Sequence, residues 1–142
     1  MSASADEFHD RVARLADLPP EEAERITEVT LLTLGRRISR GEAEELAELL
    51  PTPLDDHLLR ESDESPESFP VDAFVERVRE RAGDPDDPER PIEAVLATFA
   101  DAGARNELAE ARSQLPPEYG ALFDTADLSD AEGVDAADDL EG

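Results

Sequence analysis

Apolar residues recur at helical spacing through most of the chain and alternate with period two nowhere convincingly, so helices are expected and strands are not. Phe8, Val12 and Leu15, with Ala5 and Ala16, fall on one face of a first helix, and Ser4 with Glu7 could form a capping box. Pro19 and Pro20 end that helix and open the next. The second helix, over about residues 20 to 35, carries Ile26, Val29, Leu31, Leu32 and Leu34 nearly all round, which suits the middle of a core. A third, from about Glu42 to Leu50, turns Ala43, Leu46, Ala47 and Leu50 inward. Pro51 and a short apolar patch of Leu54, Leu58 and Leu59 follow.

The same order then returns. At an offset of 66, Asp6, Phe8, Arg11, Val12, Ala16, Pro19, Ile26 and Val29 match Asp72, Phe74, Arg77, Val78, Ala82, Pro85, Ile92 and Val95. At an offset of 65, Arg40, Glu42, Glu45, Leu50 and Pro51 match Arg105, Glu107, Glu110, Leu115 and Pro116. The second copy has a stripe of Val71, Phe74, Val75, Val78 and Ala82, then Ile92, Val95, Leu96 and Phe99, then Leu108, Ala111 and Leu115 over about Asn106 to Leu115. Its closing patch is Tyr119, Leu122 and Phe123.

The fold expected is all-α: a single bundle of about six short helices built from two tandem three-helix repeats. Residues 1–123 form the helical domain, with repeat one at 4–60, a Ser- and Pro-containing linker at 61–70 and repeat two at 71–123. Residues 124–142 hold eight acids and no base and read as an acidic disordered tail. A unit of about 60 residues buries too little surface to be robust alone, so the halves should share one interior.

Charge changes this picture outside the core. The chain of 142 residues has 38 acidic and 13 basic side chains, a net charge of -25, and every base is Arg. The acids lie between apolar positions like a solvated coat. Such usage resembles the proteomes of salt-in halophilic archaea, and screening to roughly 3 Å at 1 M salt would quiet the repulsion. There is no run of the roughly 18 apolar residues a membrane span needs, and no basic-then-apolar leader, so a cytoplasmic chain is expected. With no Cys, disulfides, thiolate metal sites and cysteine nucleophiles are excluded.

The stretches PEEAERITEVTLLTLGRRISRGEAEELAELLP and LPPEYGALF resemble the DUF2267 family of prokaryotic proteins of unknown function, over about residues 5 to 123. The resemblance implies a small helical domain and supplies no activity and no functional residues. Asn106 stands where the second copy should have the Gly of the first, and Gly103 comes earlier.

Candidate chemistry is sparse. His9 aligns with Val75 and His57 with Leu122, so packing is the better account of both imidazoles. Asp55, Asp56, His57 and Ser62 suggest a triad only by adjacency, which 38 acids make commonplace. Asp84, Asp86 and Asp87 depart from a calcium loop, with Glu89 at the sixth position and Val95 at the twelfth, leaving weak nonspecific cation binding there and in the tail. No nucleotide or metalloprotease motif occurs. No catalytic residue, cofactor or metal site is assigned, and the expectation is that the protein is not an enzyme.

Arg36, Arg37 and Arg40 form the one local basic feature, suited to a carboxylate or phosphate, although the helix end and Glu42 to Glu48 explain them too. The function expected is a noncatalytic helical protein-interaction module. Its partner-binding residues would be Arg36, Arg37, Arg40, His57, Leu58 and Tyr119, at a groove or on apolar patches near Leu58 and Tyr119. The alternative is a small-molecule-binding or regulatory domain with a pocket between the repeats, lined by groups such as His57 or Tyr119. A protein partner is expected, and nucleic acid and membrane are not; self-association is left open.

Overall fold

Prolines and left-handed residues set the helix boundaries. In the computed structural model, which describes residues 5–63, 65–83 and 87–123, the helices are α1 (Ala5–Ala16), α2 (Pro20–Arg37), α3 (Arg40–Ala47), α4 (Leu54–Arg60), α5 (Val71–Arg81), α6 (Glu89–Phe99), α7 (Arg105–Ser113) and α8 (Gly120–Phe123). A π-helical turn, Ala100–Ala104, joins α6 to α7, and a 3-10 turn, Pro117–Tyr119, precedes α8. Among the described residues there is no strand beyond one isolated bridge between Ser39 and Asp63. The all-α expectation is met. The acidic tail at 124–142, the cap at Ser4 and the loop at 84–86 lie outside the described residues.

Asp17 closes α1 at φ 58, and its match in the second half, Gly83, lies just beyond α5 at φ 88. The turn at Asp17 lets the Leu18 N–H reach the Ala13 carbonyl at 2.9 Å, satisfying one of the acceptors a helix end leaves open. Between α6 and α7, Gly103 takes φ 113 inside the π-helical turn, so this connection is a kinked, nearly continuous helix.

The central element is α2. Ala23, Ile26, Val29, Leu31, Leu32 and Leu34 are all buried, and α1, α4, α5 and α6 pack around it. Its threonines are buried without an orphan hydroxyl at two positions: Thr27 donates to Ala23 O and Thr33 to Val29 O, each at 2.7 Å. The halves interlock, because α1 lies on both α2 and α6 while α5 lies on α2. Further along, α3 packs on α4 and α7, and one continuous apolar core runs from Phe8 to Phe123. Phe8 and Phe74, Val12 and Val78, Ile26 and Ile92, and Val29 and Val95 are all buried in that core.

Two expectations need correction here. Leu15, expected inward, is 42% exposed. The buried row on α1 is Phe8, Val12 and Ala16, strictly four apart, and Leu15 falls beside it on the last turn. Leu58 and Tyr119, expected on exposed apolar patches, are fully buried. Leu58 is the inward residue of α4, and Tyr119 is turned into the core by the 3-10 turn, so neither faces a partner.

The described part of the 61–70 segment is non-helical, and its second half is fastened to the helices. Glu67 N–H donates to Arg36 O at 3.1 Å, and the buried Phe69 offers its carbonyl to Arg37 Nε at 2.9 Å and Tyr119 Oη at 2.7 Å. The Phe69 ring packs against Phe74, which meets Tyr119 edge-on, and the Arg77 guanidinium lies 4.0 Å above the Phe69 ring centroid.

Candidate functional site

The three arginines expected to form one basic patch point to three places. Arg36, at the end of α2, pairs with Glu67 at 3.5 Å. Arg37 is buried, with its guanidinium near the Phe69 and Tyr119 rings, where it braces the 61–70 segment. Arg40 opens α3 beyond the Ser39 cap and binds Glu44 at 3.1 Å, one turn along its own helix. Glu67 is shared with Arg77, whose hydrogen bond holds the carboxyl below its ordinary range. These arginines are engaged within the chain.

His9 on α1 and His57 on α4 share one electrostatic neighbourhood. Burial pushes the His9 imidazole below its ordinary pKa; Glu24, Asp6 and Asp10 oppose that, and His57 adds to it. His57 Nδ1 lies 3.2 Å from Arg60 Nη2, and Arg60 in turn reaches Glu28 at 3.5 Å. Ser62 is spent in a turn: its Oγ donates to Leu59 O at 2.9 Å and accepts from Arg40. Asp55 accepts the Asp56 N–H at 2.9 Å. Adjacent positions on a helix do not face one another, and the structure does not bring Asp55, His57 and Ser62 into a relay.

A cleft of about 380 Å³ opens between the α1–α2 turn and the start of α6. Ala16, Leu18, Ile26, Ala82 and Pro91 give it an apolar floor, and Asp17, Glu22, Asp87 and Arg90 a polar rim. It draws on both halves, and His57 and Tyr119 do not line it. Arg90 is exposed in the first turn of α6, where the helix dipole does not favour a cation, and it makes no ion pair among the described residues.

A second constellation was not singled out by any motif. The Ser39 Oγ accepts the Glu42 N–H at 3.2 Å and starts α3, which lays Glu42 against α7. Carboxylate oxygens of Glu42, Glu45 and Glu110 lie within 4.8 Å of one another, a set that could hold a metal ion. Gln114 Nε2 donates to Glu42 Oε1 at 3.1 Å, while Glu42 Oε2 is buried without a hydrogen-bond partner. Burial raises the Glu42 carboxyl above its ordinary range, and Glu45, Glu110 and Glu107 raise it further. The one signal for it along the chain is the match at an offset of 65, which pairs Glu42 with Glu107 and Glu45 with Glu110.

No helix among the described residues is long and apolar enough to cross a membrane. No curated protein matches the chain. A family model described as "Uncharacterized conserved protein (DUF2267)" matches residues 5–122, which spans all the helices except the last residue of α8. The two interlocked sets of helices and their common core therefore belong to a member of the DUF2267 family.

Proposed function

We propose that this chain is a noncatalytic helical protein-interaction module of a salt-rich cytoplasm, and that it holds a segment of a protein partner in the cleft between the α1–α2 turn and α6. The observation that carries this reading is Arg90. In a chain of net charge -25, it is an exposed guanidinium beside an apolar floor, with no ion pair among the described residues. A partner segment with one apolar side chain and a carboxylate would meet both features. Nucleic acid would be repelled by the overall charge.

Affinity purification from the native host at native salt tests this with three baits: wild type, Ala82→Phe, which fills the cleft, and Arg90→Glu, which reverses its charge. Far-UV dichroism confirms that each bait is folded. A reproducible partner lost from both variants is the expected result. A partner held equally by all three, or none held by wild type, would remove the reading.

The cleft's volume also lies in the range of about 300 to 1,000 Å³ common for small ligands, which favours the second reading, a small-molecule-binding or regulatory domain. A metabolite extracted from wild type and absent from Ala82→Phe would select it over the protein partner.

A further inference from the structure

We propose that Glu42, Glu45 and Glu110 form a divalent-cation site of the calcium class that ties α3 to α7. Four carboxylates converge at this contact: Glu42 and Glu45 from one helix, Glu107 and Glu110 from the other. Acidic side chains crowd many surfaces, but Glu42 is not on the surface. It is only 7% exposed, and its Oε2 has neither a donor nor solvent. A buried carboxylate with an unpaired oxygen is costly, and neighbouring carboxylates compound the cost. A cation in reach of all three relieves both at once.

The spacing fits. Ca²⁺ holds oxygens at about 2.3 to 2.6 Å, so two oxygens on one ion can be up to roughly 5 Å apart. The three carboxylate oxygens already lie within 4.8 Å of one another. Gln114 fixes the orientation by occupying Oε1, and the Ser39 cap fixes the backbone of Glu42. Glu45 and Glu110 are exposed, so the site has a way in from solvent and room for water ligands. All-oxygen, anionic and partly hydrated coordination suits Ca²⁺ or a similar hard divalent ion better than zinc or copper.

The test is thermal unfolding of the full chain in molar KCl, with and without CaCl₂ and at constant ionic strength, so that general screening is already saturated. The proteins are wild type, Glu42→Gln, Glu110→Gln, and a charge-matched control, Glu21→Gln, that removes one exposed acid elsewhere. At Ca²⁺ about 100 times Kd, the folded-to-unfolded ratio of wild type should rise ~100-fold, an increase in Tm of roughly 5 to 15 °C. The control should match wild type, and both single variants should lose most of the shift. Because Glu110 is exposed, Glu110→Gln decides the matter should Glu42→Gln fail to fold. A wild-type Tm insensitive to Ca²⁺ would overturn the proposal. So would a Ca²⁺ shift retained by Glu110→Gln, or one abolished equally by the control.

Discussion

Adding a single methyl group at Gly35 should cost more than any other small change on α2. Gly35 faces α4, and a Cβ built there would lie 1.9 Å from the Leu58 carbonyl oxygen and 3.0 Å from its carbon. The obstacle is backbone, so no rotamer change relieves it. An ordinary carbon–oxygen contact is about 3.3 to 3.6 Å, so the helices must part by more than an ångström. Leu54 and Leu58 are fully buried on α4, and parting by that much weakens the dispersion attraction on the widened side by about a quarter to a half. Overpacking costs about 1 to 3 kcal/mol, and the poorer packing along the interface adds to it. Alanine's higher helix propensity returns about 1 kcal/mol. Those two terms leave a net loss of up to about 2 kcal/mol for Gly35→Ala, and the widened interface adds to it. Gly41 is the internal comparison: it lies in the first turn of α3, and nothing stands within 4 Å of its added Cβ. Gly41→Ala should be stabilising by a few tenths up to about 1 kcal/mol. Denaturant titration at fixed molar salt, followed by far-UV dichroism, measures both. Gly35→Ala as stable as wild type, or both variants shifting in the same direction, would refute the close approach of α2 and α4.

Five further outcomes are expected. His9 is held below its ordinary pKa chiefly by burial, so its contribution is present above about pH 6.5 and is lost as pH falls through the folded value; His9→Val should flatten that part of the Tm profile between pH 7.5 and 5. Tyr119→Phe removes the hydrogen bond to Phe69 O and should cost about 1 kcal/mol by denaturant titration. Because Tyr119 is the single tyrosine and burial raises its pKa, ultraviolet absorbance should show it ionising above about pH 10, with stability falling as pH rises through that range. Asp17→Gly relieves a left-handed residue at the end of α1 and should raise stability by about 0.5 to 1 kcal/mol, read as a higher Tm; no change would show that the Asp side chain compensates. Tm should climb steeply with KCl towards molar concentrations, and a flat salt profile would remove surface repulsion as a force on this fold.

The helical stripes were legible because burial imposes a period on sequence. Phe8 and Val12, and Phe74 and Val78, occupy the inward faces their spacing assigns. Short elements carry too few turns for a period to show, which is why α4, seven residues long, read only as an apolar patch. The linker's composition marked it as non-helical, but one aromatic residue does not announce an anchor, and Phe69 collects two donors and three ring partners. Arg36, Arg37 and Arg40 are neighbours in sequence yet diverge, because residues one apart on a helix point about 100° apart and Ser39 ends the run. The carboxylate group was hidden for the opposite reason. Among 38 acids, Glu42 and Glu110 are inconspicuous until α3 is laid on α7.

Charge on this protein thus acts in two regimes that salt separates. Most of the acids are spread over an exposed surface, where dissolved ions weaken their repulsion at any distance beyond a Debye length. Many of the exposed arginines are paired with them, as Arg60 is with Glu28, Arg77 with Glu67 and Arg81 with Glu61, and such pairs are worth about 0 to 1 kcal/mol each. The α3–α7 contact differs because Glu42 is shielded from the solvent that would carry screening ions, so its repulsion with carboxylates within 4.8 Å outlasts that between exposed charges. Raising KCl should therefore relax the surface first and leave a remainder concentrated at Glu42. That remainder is removed only by a proton, by deleting the charge, or by an ion in direct contact with the oxygens. A plateau of stability in molar KCl, with a further rise on adding Ca²⁺ at the same ionic strength, is the signature that distinguishes contact from screening.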